Sequence, residues 1–404
     1  MNKQTISRFT ERSRQFFSRP FFSDYRTLLA LWMLLALIAA LTKMHRCNNF
    51  LIFRGVFWHT LGEQSLFTQY PAEYADSNHY GPFFSVVIAP FAVMPLPIGL
   101  VLWVLLLALF LYLAVRHSSL SRYQQLFILW FCAHELLSAL QMQQFNVAIA
   151  ACIILAYALV EKEHDMGAAF FIMLGTMVKL YGIVGVVFII FSRHRFRFVR
   201  GLLLWGIIMF VLPMAVSSPQ YVCGQYVEWY HSLMEKNTLN MTTGLYQNIS
   251  LIGMIQRVFG LGDEVNWLLP VGCLLLMLPC LRFSQYKNSG FRQTLLASLL
   301  MFVVLFSTGS ETSSYVIAVP GVVIWYTACP WRRGRWALAL IVFVFVLTSL
   351  GHSDLMPSVW RKTIIRPYSL KALPVSIVWL CLSFEMLRRD YSPQADGYSK
   401  ISRM

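Results

Sequence analysis

The sequence predicts an all-α polytopic membrane protein with about 10–12 transmembrane helices. Hydrophobic residues make up 57% of its 404 residues and charged residues only 13%, whereas a soluble domain carries about a quarter charged residues. Uncharged apolar runs such as 27–41 and 98–115 approach the length that crosses a hydrocarbon core. These runs are apolar on every face, so we expect helices that satisfy their own backbone hydrogen bonds, and not the alternating strands of a barrel.

The net charge of +15 would suit a nucleic-acid-binding protein, but the positions of the basic residues indicate membrane topology instead. If the spans alternate from a cytoplasmic N-terminus, about 23 Lys and Arg residues fall inside and about 9 outside, as the positive-inside rule requires. We therefore predict a membrane protein with both termini cytoplasmic, its functional surface on the side opposite the cytoplasm and no nucleic-acid partner. Its parts are a basic N-tail (1–26), one transmembrane domain (27–387) and a C-tail (388–404). The N-terminal apolar run is interpreted as an uncleaved anchor.

Ten full crossings are predicted, near residues 27–43, 98–115, 123–140, 145–160, 201–216, 267–282, 291–307, 314–329, 336–351 and 372–387. The stretch 167–191 has cytoplasmic-type flanks on both sides. A re-entrant hairpin of two half-length helices that turns at 179–182 would place both flanks on the cytoplasmic side. The alternative is a single tilted span. The polar tip of such a hairpin is tolerated only in a protein-lined cavity.

Three external segments follow from this topology: 44–97, 217–265 and 352–371. The first predicts an interfacial helix over 48–61, with its apolar residues largely on one face, and then a short apolar helix over 83–94. The second segment carries aromatic residues typical of the membrane interface, namely Tyr221, Tyr226, Trp229 and Tyr230.

Acidic residues in the external segments are the first candidates for chemistry. Asp76 comes just before the chain re-enters an apolar helix, a position that faces both water and the membrane boundary, and Glu63 and Glu73 are alternatives in the same loop. Glu311 stands in a small, hydroxyl-rich turn over 307–315. Solvated loop acids and an ordinary turn are the structural alternatives.

Basic and buried ionisable residues are the second set. Lys179 is the only basic residue in 167–191 and would either neutralise a phosphate or extend to the interface. Further phosphate candidates are His45, Arg46, Arg54 and Arg257. Glu135 and His134 lie within the third span, where ionisable groups are costly, and we expect a structural Glu–His or Glu–backbone pair.

The eight cysteines form no CxxC pair and no Cys/His metal spacing, so neither a metal nor another cofactor is expected. Cys47 and Cys223 both map outside and are the one pair that topology would allow to form a disulfide. Sugar transfer requires a carboxylate to accept a hydroxyl proton, a cation for the departing phosphate, and polar groups that orient the sugars. The external loops contain all three.

Six short pieces occur in a fixed order: Tyr80-Gly81-Pro82-Phe83-Phe84, Ala89-Pro90, Met94-Pro95, Gln144-Phe145-Asn146, Val178-Lys179-Leu180-Tyr181, and Gln247-Asn248-Ile249-Ser250-Leu251 followed by Arg257. In this order the chain resembles, over roughly 30–330, the polyprenyl-phosphate-mannose-dependent mannosyltransferases of glycosyltransferase family 87, within the GT-C superfamily.

The resemblance implies a GT-C-like fold and an inverting transfer of a sugar, most simply mannose, on the periplasmic side of the bacterial cytoplasmic (inner) membrane. The donor would be a polyprenyl-phosphate sugar, which has one phosphate and needs no metal, and the acceptor an envelope glycan or glycolipid. Membrane lipids would surround a monomer. The candidate catalytic residues are Asp76 and Glu311. The candidate substrate-binding residues are Asn48, Asn49, Arg54, Tyr80, Gln144, Asn146, Lys179, Tyr181, Asn248 and Arg257.

One position departs from the family. Just after the first span, where the family has its acid, this chain has Asn48 and Asn49, and an asparagine cannot act as a base. We expect Asp76 to supply the base from later in the loop while the two asparagines hold the sugar. The alternatives are a relative without activity, or a flippase-like lipid or glycan transporter, which predicts repeated halves and midplane ion sites.

Overall fold

A computed structural model describes residues 19–241 and 247–392 of the protein. Most of the predicted N-tail (1–26) and of the C-tail (388–404) lies outside these residues. Within them the chain is helical and contains no β-strand, so the predicted all-α polytopic membrane fold is confirmed.

The helices are α1 (Tyr25–Lys43), α2 (Asn48–Leu61), α3 (Phe84–Ala92), α4 (Leu96–Arg116), α5 (Arg122–Phe131), α6 (Ala133–Gln141), α7 (Asn146–Glu161), α8 (Asp165–Lys179), α9 (Arg195–Val211), α10 (Pro219–Met241), α11 (Leu251–Phe259), α12 (Leu268–Met277), α13 (Ser289–Leu305), α14 (Tyr315–Ala328), α15 (Arg335–Phe343) and α16 (Ala372–Arg388). A 3₁₀ helix covers Tyr181–Ile190, and π-helical turns continue α15 over Val344–Leu350. Short helical turns lie at Pro20–Ser23, Leu212–Ala215, Asp263–Trp267, Leu278–Leu281, Phe283–Gln285, Thr312–Ser314, Ser358–Trp360 and Arg361–Ile365.

Each of the ten predicted crossings contains a helix. By length and composition, four helical stretches can cross a membrane: Tyr25–Lys43, Leu96–Arg116, Arg195–Ala215 and Glu264–Leu281. Four of the remaining crossings coincide with shorter apolar helices: 145–160, 291–307, 314–329 and 336–351. The predicted span 123–140 is divided at Cys132 between α5 and α6, and 372–387 coincides with α16.

The interior is formed by α7, α13 and α14, whose apolar side chains are buried on almost every face. In contrast, α1 and α9 expose leucine and isoleucine side chains, as helices that face lipid do. Asn146 begins α7, and Ser313 and Ser314 immediately precede α14; the Asn146 Nδ2 donates to Ser313 Oγ over 3.0 Å. Polar residues therefore meet where these two interior helices begin.

The stretch 167–191 turns back on itself, as the flanking charges predict. Helix α8 ends at Lys179, Leu180 takes a left-handed φ of 55°, and the 3₁₀ helix runs back from Tyr181. A Cβ on Gly182 would lie 2.6 Å from the Ile172 carbonyl oxygen, so only glycine permits this approach of the two segments. The ends meet as well, because Arg193 Nη1 lies 2.7 Å from Glu163 Oε1.

Helix α2 has the predicted bounds, but its burial is wider than one apolar face. Phe50 and Ile52 are buried together with Phe53, and Leu61 is exposed. Helix α10 was not predicted, because its 23 residues are mostly polar and aromatic and no apolar run marks it. It packs through Trp229, whose indole N–H donates to the His79 carbonyl over 3.0 Å.

Glu135 is paired differently from the expectation. Its carboxylate accepts from the Lys371 ammonium at 2.8 and 3.1 Å, and both side chains are buried, so the expected Glu–His or Glu–backbone pair is wrong. The partner lies at the start of α16, too far along the chain for a sequence pattern to reveal. All eight cysteines lie in the described residues and are unpaired, so Cys47 and Cys223 do not form a disulfide.

Gly81 fixes the end of the loop between α2 and α3 against α8. Its N–H donates to the Val178 carbonyl over 3.0 Å, and a Cβ there would stand 2.3 Å from the Met177 carbonyl oxygen and 2.9 Å from the Trp229 ring. Backbone cannot move aside as a flexible side chain does, so the loop and the end of α8 tolerate only glycine at this contact.

We expect Gly81→Ala to lower the free energy of unfolding by about 1–3 kcal/mol through overpacking. Gly224→Ala is the matched control, because a Cβ on Gly224 meets no heavy atom within 4 Å and the residue lies inside a helix. Thermal unfolding of the purified protein in detergent should show a lower Tm for the first variant only. Equal Tm values for the two variants would show that this contact relaxes at no cost.

Candidate active site

Two cavities meet at the side of the bundle where α7 and α14 begin. The smaller, of about 320 Å³, and the larger, of about 1090 Å³, are called here the small cavity and the large cavity. Both are bordered by the same residues, which we call the junction: Asn49, Asp76, Gln144, Gln247 and Glu311. The two candidate carboxylates therefore lie where the cavities join.

The small cavity contains the cation from the α8 turn. The Lys179 ammonium lies 5.6 Å from the centre of the Tyr80 ring and 5.1 Å from that of Tyr181, both within cation–π range. The Tyr80 hydroxyl accepts from the Phe145 N–H over 3.0 Å, and the Tyr181 hydroxyl lies 2.9 Å from Ser307 Oγ. These contacts fix two aromatic walls around one ammonium group.

A chain of hydrogen bonds connects Lys179 with Glu311. The ammonium donates to Asn146 Oδ1 over 2.7 Å, Asn146 Nδ2 donates to Gln144 Oε1 over 2.9 Å, and Gln144 Nε2 donates to Glu311 Oε2 over 2.8 Å. An ammonium can only donate and a carboxylate can only accept, so the ends of the chain dictate the orientation of both amides. Ser313 Oγ adds a second donor to Gln144 Oε1 at 2.8 Å.

Asp76 is held in a strained backbone conformation beside the junction. Its φ is 76°, in the left-handed region where a side chain costs about 1–3 kcal/mol, and its Oδ1 accepts from the Ser77 N–H over 2.9 Å. Ala75, the residue before Asp76, is fixed by the side-chain amide of Asn48. The Asn48 Oδ1 accepts from the Ala75 N–H over 2.8 Å, and its Nδ2 donates to the Ala75 carbonyl over 2.6 Å. Asn48 thus shapes the loop that presents Asp76, and it lies outside both cavities.

The other two acids of the loop between α2 and α3 are engaged away from the cavities. Glu63 accepts from the Ser218 N–H over 2.9 Å at the start of α10, and hydrogen bonds from Ser218 hold the pKa of its carboxyl below its usual value. Glu73 lies 3.2 Å from His59 Nε2. Of these three candidates, Asp76 alone borders the cavities.

Six further predicted residues do not line either cavity: His45, Arg46, Arg54, Asn146, Asn248 and Arg257. Arg257 donates to the Asn248 carbonyl over 3.0 Å and also contacts Ser369, and Asn248 is buried. The contact between Arg257 and Ser369 joins α11 to the segment before α16. Arg54 follows Phe53 on α2, and the turn of about 100° per residue directs it away from the small cavity that Phe53 lines.

Several lining residues were missed by the sequence analysis. One face of α10 supplies Leu233, Lys236, Asn237 and Asn240 to the small cavity, a spacing that marks one side of a helix and that a search for polar periodicity in 217–265 would have found. The large cavity is lined by the segment 352–367, which no motif singles out.

His79 also lines the small cavity, where burial and the charges of Lys236 and Lys179 lower its pKa to about 4. Its ring Nδ1 lies 3.0 Å from Ser232 Oγ, and the imidazole is neutral at neutral pH. Among the residues that the structure describes, no group of three or more His, Cys, Asp or Glu side chains is placed to hold a metal ion.

A helical membrane protein with carboxylates at the junction of two cavities, one of them containing a half-buried lysine, has the arrangement of a membrane-bound group-transfer enzyme. The sequence model of glycosyltransferase family 87 matches residues 78–308, more than half of the chain, and the protein belongs to that family. It is therefore a membrane glycosyltransferase. No curated protein matches the chain.

The matched range divides the site. It contains Tyr80, Gln144, Asn146, Lys179 and Tyr181, and it ends short of both candidate carboxylates, Asp76 and Glu311. The cation and the amides thus lie within the family's matched region, while the acids come from the flanking segments.

Proposed function

We propose that this glycosyltransferase moves a sugar, most simply mannose, from a polyprenyl-phosphate donor to an envelope glycan or lipid acceptor. The reaction takes place at the periplasmic face of the bacterial inner membrane, on a monomer with both termini in the cytoplasm. The observation that carries the proposal is the position of Asp76 and Glu311 at the junction, with Lys179 in the small cavity only. This places an acid between a cationic site and a second, larger space.

The small cavity is assigned to the donor. Lys179 neutralises its single phosphate as a compact point charge, and the tyrosine walls orient the sugar ring. Apolar residues of the same lining, Ile52, Leu233 and Met234, suit the first part of a polyprenyl chain. The family resemblance supports mannose and a lipid-linked donor.

The large cavity then holds the acceptor, and the chemistry occurs at the junction. Asp76 takes the proton of the acceptor hydroxyl while the hydroxyl oxygen forms a bond to the anomeric carbon of the donor sugar. The bond from that carbon to the phosphate oxygen breaks, and polyprenyl phosphate leaves with the electron pair. Attack opposite the leaving group in a single displacement inverts the anomeric centre. Glu311, fixed by Gln144, binds a hydroxyl of the transferred sugar with its other oxygen.

The experiment supplies the purified protein in lipid nanodiscs with polyprenyl-phosphate mannose, polyprenyl-phosphate glucose or a nucleotide-linked mannose, and follows transfer to glycan acceptors. We expect transfer from a polyprenyl-phosphate donor. Lys179→Met should raise the donor KM or lower kcat/KM about 10–100-fold, the size of a lost charged hydrogen bond.

The control variant is Lys287→Met, which removes an exposed lysine distant in sequence from every lining residue. It should leave the donor kinetics unchanged. Transfer from the nucleotide sugar with none from the lipid-linked donors would refute the proposed donor class. A Lys179→Met variant as active as the wild type would refute the assignment of the phosphate to the small cavity.

A further inference from the structure

The large cavity has a second group of cations that the donor reaction does not use. Its volume of about 1090 Å³ exceeds the range of about 300–1000 Å³ typical of small-molecule pockets. Away from the junction it is lined by three cations, Lys43, Lys362 and Arg366, which we call the basic cluster. Lys43 ends α1, and the other two precede α16, so two distant parts of the chain build it.

Three carboxylates line the large cavity, and each is engaged with another residue. Asp354 pairs with Arg361, Glu311 accepts from Gln144, and Asp76 accepts from the Ser77 N–H. No ion pair joins Lys43, Lys362 or Arg366 to a carboxylate among the described residues. The cluster therefore presents positive charge to the cavity.

Two imidazole side chains, those of His134 and His352, also line the large cavity. The His134 Nδ1 and the His352 Nε2 are buried and have no hydrogen-bond partner among the described residues, although buried polar atoms are rarely left unpaired. The other nitrogen of His352 lies 2.9 Å from Thr312 Oγ1, which fixes the ring. Burial and nearby Lys371, Arg366 and Arg361 lower the pKa of His352 to about 3, so the ring is neutral at neutral pH.

We infer that the large cavity binds an acceptor carrying a phosphate group, which the basic cluster holds while the acceptor hydroxyl lies at the junction. The inference rests on the proposed function, which assigns the donor to the small cavity. Phosphate fits the cluster because two lysines and an arginine supply several charged donors to one tetrahedral anion. The phosphate belongs either to a lipid anchor or to the glycan itself.

The test compares three acceptors of one sugar: octyl mannoside, octyl mannoside 6-phosphate, and a mannosyl phosphodiester of diacylglycerol in vesicles. Wild type should have a KM at least about tenfold lower for a phosphate-bearing acceptor than for octyl mannoside. Preference for the vesicle-borne acceptor indicates a lipid anchor, and preference for the soluble phosphate indicates a glycan phosphate.

The variant is Lys362→Gln combined with Arg366→Gln. It should raise the KM for the phosphate acceptors about tenfold or more and leave the KM values of octyl mannoside and of the donor unchanged. Lys362→Arg combined with Arg366→Lys keeps both charges and should retain tight binding. The control is Lys287→Gln combined with Arg335→Gln, which removes the same charge from exposed positions.

Equal KM values for neutral and phosphate acceptors in the wild type would overturn the inference, and so would a rise in the donor KM alone in the Gln variant. If no acceptor is glycosylated from any lipid-linked donor, the proposed function fails, but this inference is still decided by binding. Microscale thermophoresis with octyl mannoside 6-phosphate should then show binding to the wild type that the Gln variant loses, and equal binding by both would refute it.

Discussion

Asp76→Asn is expected to lower kcat for sugar transfer by about 10²–10⁴-fold, the usual contribution of a positioned general base. The KM values for donor and acceptor should change little, because the asparagine keeps the size and polarity of the side chain at the junction. Initial rates with saturating polyprenyl-phosphate sugar provide the measurement. Glu73→Gln is the matched control, since Glu73 pairs with His59 away from both cavities, and it should retain the wild-type kcat.

A second substitution separates the chemistry of Asp76 from its conformation. Glycine adopts a φ of 76° without strain, so Asp76→Gly should fold at least as stably as the wild type and still lack activity. An Asp76→Asn or Asp76→Gly enzyme with the wild-type kcat would exclude Asp76 as the base. Absence of transfer by the wild type with every donor would instead favour a relative without activity.

Breaking the ion pair between Glu135 and Lys371 should have the largest effect on stability. Lys371→Met leaves a buried carboxylate without its cation, a change that costs about 3–5 kcal/mol when one partner of a buried pair is removed. Combining Glu135→Gln with Lys371→Met removes both charges and should recover most of the loss. Urea or thermal unfolding in detergent would measure these differences.

The exposed pair of Glu163 and Arg193 is the control for this experiment. Its side chains are 43% and 78% exposed, and exposed pairs contribute about 0–1 kcal/mol. Glu163→Gln should therefore leave the Tm nearly unchanged. A Lys371→Met variant as stable as Glu163→Gln would show that water or another group reaches Glu135 and compensates its charge.

The helices that the sequence predicts well are those whose apolar runs determine them. The bounds of α2 and the return of the chain at Leu180 follow from local patterns: an apolar face in the first case, and matching charges on both flanks in the second. The polar helix α10 has no such run, so its cavity-lining face was missed. A prediction of membrane spans depends on hydrophobicity, so it does not detect a helix that packs through tyrosine, tryptophan and amide side chains.

The candidate site was predicted residue by residue more successfully than as a three-dimensional arrangement. Lys179, Gln144 and Asn146 were singled out separately, but their connection into one hydrogen-bond chain depends on side-chain geometry that no spacing encodes. The basic cluster was not predicted, because it joins the end of α1 to residues about three hundred positions further along the chain. Such pairings arise from helix packing, as does that of Glu135 with Lys371.

The hairpin formed by α8 and the 3₁₀ helix also bears on how the chain can change through insertion or deletion. Its two ends lie side by side, joined through Glu163 and Arg193, so it returns the chain to the side from which it left. Insertion or deletion of such a hairpin leaves the orientation of every later span unchanged. Loss of a single crossing, in contrast, inverts all the spans that follow it. Lys179 is thus carried on a segment whose presence leaves the orientation of the other spans unchanged.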